Sequence, residues 1–239
     1  MPRNNYFQFK QFRIIQERSA MKVGMDGVLI AAWTDAFGAK RILDVGTGTG
    51  LIALMMAQKN NQAQVDAIEI NQDAFDEAKL NAKNSPWNDR IRFELSSFQE
   101  FIQEKNQLYD LIISNPPFFA NGEKAPVQNR AQARHSDVLP LDILISGATK
   151  ILNANGKIAL VFPAENLPEI EKLSRENKLY ISRLCNVQPN PQKPVFRILV
   201  ELSNSECPKF EENLMIEFEK HHDYTPEYKN LTSEFYLKF

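Results

Sequence analysis

The residues best equipped for chemistry fall in two short stretches of a 239-residue chain. The first is Leu111-Ile112-Ile113-Ser114-Asn115-Pro116-Pro117-Phe118, an apolar run that ends in an amide, two prolines and an aromatic. Runs of this kind read as buried parallel strands. The prolines carry no N–H and fix φ, so they forbid further ladder pairing. Asn115 is therefore expected just past the C-terminal edge of a strand, where open α/β sheets bind their ligands. A rigid turn there holds the Asn115 amide beside the Phe118 ring, a pair suited to a flat, amino-bearing molecule. An ordinary strand-to-loop exit accounts for the same residues.

The second stretch runs from Arg41 through Asp44 to Gly46-Thr47-Gly48-Thr49-Gly50. Glycines after a strand let the backbone turn tightly and approach a ligand closely. Their spacing is not the dinucleotide fingerprint G-x-G-x-x-G, because the third glycine comes one position early. Asp44 places a carboxylate where a pyrophosphate would be unwelcome, and it suits a cationic ligand or an amine. The alternative for Asp44 is a hydrogen-bonding role within the loop. Glu69 stands at the end of the next strand, where an acid can bind two ribose hydroxyls.

The elements that must position these residues alternate between strand and helix. Strands are expected at Arg41–Val45, Val65–Ile68, Ile91–Leu95, Tyr109–Ser114, Lys157–Phe162, Tyr180–Val187 and Val195–Leu202. Helices are expected at Asp26–Phe37 with Asp26 as N-cap, Leu51–Gln58, Gln72–Asn84 capped by Asn71, Phe98–Phe101, Pro140–Leu152 and Glu165–Asn177. The tail adds a strand near Leu214–Phe218 and a helix around Pro226–Tyr236, and its acids, Glu211 to Glu219, read as a solvated face. The class is α/β: a seven-stranded, mostly parallel sheet, helices on both faces, and an antiparallel hairpin at one edge. A polar loop covers 119–136, longer than compact domains keep without a functional reason. The organisation is one domain, 26–239, with an N-terminal appendage, 1–25.

Net charge is −2, from 28 basic and 30 acidic residues. That excludes a globally basic nucleic-acid binder but leaves room for a local patch. Residues 1–25 supply one: Arg3, Lys10, Arg13, Arg18 and Lys22 face a single acid, Glu17, and are interleaved with Tyr6, Phe7, Phe9 and Phe12. Basic and aromatic residues together serve phosphate neutralisation and base stacking. Equally, the aromatics of an N-terminal hairpin would pack on the domain. Cys185 and Cys207 have no metal-ligand spacing, and the three histidines form no zinc signature. With no apolar segment long enough to span a membrane and no signal peptide, a cytoplasmic protein is expected.

The loop Asp44-x-Gly46-x-Gly48-x-Gly50 with Glu69 resembles class I S-adenosylmethionine-dependent methyltransferases. The resemblance implies a Rossmann-like fold and S-adenosyl-L-methionine as cofactor. Asp44, Gly46, Gly48 and Gly50 would surround its methionine part and Glu69 would hold its ribose. Ser97 stands where relatives often carry an acid for the adenine, so backbone atoms or Phe98 are the other candidates there. Asn115-Pro116-Pro117-Phe118 in turn resembles the signature of enzymes that methylate amino groups: adenine N6, guanine N2 or a release-factor glutamine. A narrower resemblance is carried by Phe9-Lys10-Gln11-Phe12, Ala20-Met21-Lys22-Val23-Gly24-Met25-Asp26-Gly27, Ser85-Pro86-Trp87, Arg130-Ala131-Gln132-Ala133-Arg134 and Glu234-Phe235-Tyr236-Leu237. Together these are similar to the bacterial tRNA adenine-N6 methyltransferases that modify the adenosine beside the anticodon of valine tRNA. One departure is Phe118, where that family usually carries tyrosine. By this resemblance Asn115, Pro116, Pro117 and Phe118 are catalytic, and Asn115 is also cofactor-binding; Met21, Lys22 and Gly24 line the cofactor edge and Asp26 lies near its amine. Lys10, Arg13, Arg18, Arg130 and Arg134 are expected to meet RNA, with a solvated charged loop as the alternative for the last two. The protein would act as a monomer on tRNA, without a metal. Competing readings are a guanine-N2 or glutamine methyltransferase and a cofactor-binding RNA chaperone.

Overall fold

The structure, a computed structural model, describes residues 5–104, 107–117 and 139–238. Phe118, Arg130, Arg134 and the expected polar loop 119–136 lie outside the described residues.

The chain begins with a small hairpin, β1 (Tyr6–Gln8) and β2 (Arg13–Ile15), followed by α1 (Met25–Trp33). Then come β3 (Arg41–Val45), α2 (Leu51–Lys59), β4 (Gln64–Glu69), α3 (Gln72–Lys83), β5 (Ile91–Leu95), α4 (Phe98–Glu104) and β6 (Tyr109–Ser114). The second half holds α5 (Leu141–Lys150), β7 (Leu152–Pro163), α6 (Leu167–Glu176), β8 (Tyr180–Gln188), β9 (Arg197–Ser203), β10 (Phe210–Met215) and α7 (Pro226–Thr232). The main sheet runs β10-β8-β9-β7-β6-β3-β4-β5. Strands β3 to β7 are mutually parallel; β9 is antiparallel to both β7 and β8.

The strands are apolar on both faces because helices cover both. Ile42, Leu111 and Ile113 point into a core shared with α1, α2 and the hairpin aromatics Phe9 and Phe12. Leu43, Val45 and Ile112 point into the opposite core, under α4, α5 and α6. The period of two along each strand assigns the faces. Strand β3 pairs with β4 on one side and β6 on the other, so the chain reverses its progress across the sheet there. That switch point opens a crevice beyond the carboxyl ends of the strands.

Three expectations are corrected. The sheet has eight strands, not seven, and the β8–β9 hairpin is not its edge, because β10 pairs parallel with β8. The acids that make this stretch read as a solvated face are those of an edge strand, where charge discourages pairing with another chain. Glu212 also takes hydrogen bonds from Trp33 Nε1 at 2.7 Å and Arg183 Nε at 2.8 Å. Asp26 is not the N-cap of α1. The cap position is Gly24, without a side-chain bond, and Asp26 lies in the first turn, where an acid suits the helix dipole. At the other end of α1, Lys59 Nζ donates to the carbonyls of Ala31, Ala32 and Thr34 at 3.2, 2.6 and 2.5 Å. These are orphan acceptors of the last turn. Burial lowers the Lys59 ammonium to about 8. Asn71 caps α3 as expected, accepting from Ala74 N at 3.0 Å. No helix among the described residues is long and apolar enough to cross a membrane.

Candidate active site

Four parallel strands deliver the expected residues to one edge of the sheet: β3 the glycine loop, β4 Glu69, β5 the Ser96-Ser97 turn and β6 Asn115. Gly46, Gly48 and Gly50 have φ of 71°, 57° and 84°, the left-handed region in which a side chain is strained. A Cβ at Gly46 or Gly48 would meet nothing within 4 Å, so the space over the loop is open to a ligand. Gly50 instead is pressed on Ala78 of α3, 3.3 Å from where its Cβ would lie.

Two carboxylates brace this loop. Glu69 Oε2 accepts from Gly48 N at 2.8 Å, and its Oε1 accepts from Ile70 N and Asn71 N, both at 2.9 Å. A carboxylate has about four lone-pair positions, so one, on Oε2, remains for a hydroxyl. Asp44 is wholly buried; Oδ2 accepts from Thr47 Oγ1 at 2.6 Å and Ala53 N at 3.0 Å, while Oδ1 is buried without a partner. Burial raises its carboxyl to about 7 despite those bonds, and the charge of Glu69 adds to the rise. The loop-bracing role expected for Asp44 uses Oδ2 alone.

Asn115, half-buried, lies where the prolines end β6. With Pro116 and Pro117 it lines a cavity of about 500 Å³ whose opposite wall is Met21, Lys22, Gly24, Met25 and Asp26. Gly27 explains how close the wall comes: a Cβ there would stand 3.7 Å from Asn115 Nδ2. The wall is held from outside. Lys22 Nζ donates to the Gln16 carbonyl, and Gln16 Oε1 accepts from Val23 N at 2.8 Å. Asp26 Oδ2 pairs with Arg197 Nε at 2.9 Å, which ties α1 to the start of β9.

Other expected residues take local partners. Ser97 and Glu100 form a reciprocal cap at the start of α4, with Ser97 N and Oγ donating to Glu100 Oε2 at 3.1 and 2.7 Å and Glu100 N donating to Ser97 Oγ at 3.2 Å. Phe98 is buried, its ring 2.6 Å from where a Gly147 Cβ would lie, so it packs on α5 rather than over the sheet edge. The sequence reading missed Ile70 and Leu95, apolar and 47 and 43 % exposed, which follow or end β4 and β5 beside Glu69. Their signal is an apolar residue at the polar end of a strand.

At the N-terminus Phe9 and Phe12 are buried and stack at 4.6 Å, so these two aromatics pack on the domain. Tyr6 remains half-exposed beneath the Arg13 guanidinium, 4.4 Å from its centroid. Lys10 Nζ donates to the Ser233 carbonyl at 2.5 Å, and Arg18 lies 3.7 Å from Asp73 on the surface. His221 and His222 come together with Glu217 on a turn outside the cavity lining, a grouping of donors within 4.8 Å that spacing alone did not suggest.

A family model described as the methyltransferase small domain matches residues 26–178. The tRNA1(Val) (adenine(37)-N6)-methyltransferase of Trichodesmium erythraeum is 45% identical over 98% of this chain and 99% of its own length. The protein of the same name from Flavobacterium johnsoniae is 42% identical over 97% and 99%. Among solved structures, a protein of Agrobacterium tumefaciens described as a predicted O-methyltransferase superposes with a TM-score of 0.69 at 19% identity, covering 88% of this chain and 96% of its own. That likeness concerns the fold, and the full-length identity carries the family: the chain belongs to the tRNA1(Val) (adenine(37)-N6)-methyltransferase family.

Proposed function

We propose that this chain transfers a methyl group from S-adenosyl-L-methionine to the exocyclic N6 amine of adenine-37, beside the anticodon, in a valine tRNA. The observation that carries the reading is the placement of Asn115 on a cavity at the exit of β6, the strand paired with β3, which leads into the glycine loop. The names of the full-length relatives support the base and the RNA.

The residues present fit the methyl donor. The left-handed glycines leave an open cradle, Glu69 retains one acceptor position for a ribose hydroxyl, and Asp44 has a buried, unpartnered oxygen suited to an ammonium. Ile70 and Leu95 offer apolar flanks for a purine. When bound, the donor supplies an electrophilic methyl on a sulfonium, and its leaving group is a neutral thioether.

The chain's own work is at the amine. An adenine N6 lone pair is delocalised into the ring and is a weak nucleophile. The Asn115 side-chain oxygen and the Pro116 carbonyl accept its two N–H bonds, which favours a tetrahedral nitrogen and directs the lone pair out of the base plane. Phe118 stacks on the base and fixes that plane. The amine becomes more acidic as it acquires positive charge and releases one proton to solvent, so the site needs no strong base, and alignment contributes most of the rate. The cavity between Met21–Asp26, the expected cofactor edge, and the two prolines is where base and donor would meet.

Labelled methyl transfer to unmodified valine tRNA, compared with the same tRNA carrying guanosine in place of adenosine-37, tests the assignment. Label confined to the adenosine form is expected. Equal labelling of both would sink the base assignment, and transfer to a protein substrate instead would sink the RNA assignment.

A further inference from the structure

Three polar residues are buried against the N-terminal segment and have no part in the chemistry above: Asn81 at 1 % exposure, Glu77 at 2 % and Gln16 at 6 %. Asn81 lies on α3, directly behind the glycine loop. Its Nδ2 donates to the Thr49 carbonyl of that loop at 2.9 Å and to the Ile15 carbonyl at 3.0 Å, and its Oδ1 accepts from Ile15 N at 2.8 Å. One side chain thus joins the loop to β2. The next residue, Gln16, continues the connection to Val23 N and Lys22 Nζ, on the cavity wall. One turn earlier on α3, Glu77 collects three successive backbone donors: Glu17 N and Arg18 N at 2.6 Å on Oε1, and Ser19 N at 3.0 Å on Oε2. Burial pushes the Glu77 carboxyl up, but the hydrogen bonds outweigh it, and the group stays charged below its ordinary value.

We propose that Asn81 and Gln16 are positioning residues that fix the distance between the glycine loop and the Met21–Met25 wall. The donor and the acceptor base are thereby set against each other through α3 rather than through the sheet. Glu77 pins the intervening backbone. Residues 16 to 24 form no helix or strand, so every backbone group they bury needs a partner outside a regular ladder. Glu77 of α3 and Gln16 of the segment itself supply such partners, and Asn81 holds the strand that leads into it. The inference rests on the proposed methyl transfer for its kinetic arm but not for its binding arm.

Four chains test it: wild type, Asn81→Asp, Gln16→Leu and Gln16→Glu. Asn81→Asp keeps the size and the acceptor for Ile15 N but turns an anion toward two carbonyls. Gln16→Leu removes the acceptor for Val23 N, and Gln16→Glu retains it. Each is measured for S-adenosylhomocysteine affinity by calorimetry, for thermal midpoint, and for kcat and KM on tRNA per calorimetrically titrated site. Unpaired buried groups of this kind change equilibria by roughly fivefold to a hundredfold. Asn81→Asp is expected to weaken S-adenosylhomocysteine by that range. Gln16→Leu is expected to lower kcat by that range with affinity for the same ligand within about twofold of wild type. Gln16→Glu is expected to recover most of the rate. A lower thermal midpoint with per-site kcat and affinity unchanged would overturn the proposal and leave a purely structural role. So would a Gln16→Glu rate as low as that of Gln16→Leu. If Asn81→Asp does not fold, the Gln16 pair decides. If the wild type methylates no tRNA, the proposed function fails, while the affinity of Asn81→Asp still judges this inference.

Discussion

Replacing Asp44 with asparagine should remove much of the pH dependence of folding. Burial raises the Asp44 carboxyl from 3.8 to about 7, against the hydrogen bonds of Thr47 and Ala53. The folded chain therefore holds this proton over a range in which the unfolded chain has lost it. Between those two values the folded state binds more protons, so stability falls as pH rises from about 4 to about 7 and levels off above. At about 1.4 kcal/mol per pH unit, the cost of carrying the charge at pH 8 is on the order of 4 kcal/mol. Asparagine keeps an oxygen for Thr47 Oγ1 and Ala53 N and places an amide where Oδ1 now has no partner. The assay is urea unfolding followed by circular dichroism at half-unit steps from pH 4.5 to 8. The variant should gain on the wild type with pH up to about 7 and then level off, by a few kcal/mol in all. Two parallel stability curves would refute the reasoning, since they would mean that Asp44 ionises in the folded chain as it does in the unfolded one.

Further expectations concern the same frame. An ammonium group placed beside Asp44 favours its charged form, so S-adenosylhomocysteine should release up to about half a proton per site near pH 7; calorimetry in buffers of different ionisation enthalpy checks this. Glu69→Ala removes the anchor of Gly48 N and the acceptor proposed for the ribose, and should weaken the same ligand by roughly ten- to a hundredfold in titration. Gly147→Ala drives a methyl to 2.6 Å from the Phe98 ring and should cost about 1–3 kcal/mol in chemical denaturation. Lys59→Ala leaves three carbonyls at the end of α1 without their donor and should cost about 1–3 kcal/mol by the same measurement.

The parts of the site that are legible in the sequence are those whose signal is local. Glycines at alternate positions after an apolar strand, an acid ending the next strand, and an amide followed by two prolines each carry their geometry within a few residues. The structure brings Asp44, Glu69 and Asn115 to one sheet edge for that reason. What is not legible depends on partners far along the chain. Asp26 reads as a helix cap because Ser, Thr, Asn and Asp are preferred there; its ion pair with Arg197 is separated by 171 residues. Asn81 and Glu77 read as ordinary polar positions of a helix until β2 and the following segment are folded over them. Strand β10 is hidden by acids whose partners, Trp33 and Arg183, belong to other elements. Ser97 is a different case: Ser-x-x-Glu is a visible capping signature, yet its position after β5 also suits an adenine contact, and local spacing does not rank the two.

The central claim is that the Asn115 side chain acts on the amine rather than on the cofactor. It is tested most directly by the single-turnover rate of Asn115→Ala with S-adenosyl-L-methionine and valine tRNA both saturating, alongside its S-adenosylhomocysteine affinity. By analogy with removal of one preorganised hydrogen-bonding group, the rate should fall by roughly a hundred- to a thousandfold. The affinity should stay within about threefold of wild type, a margin well under 1 kcal/mol. A variant that keeps the wild-type rate, or one whose whole defect is lost cofactor affinity, would contradict the account.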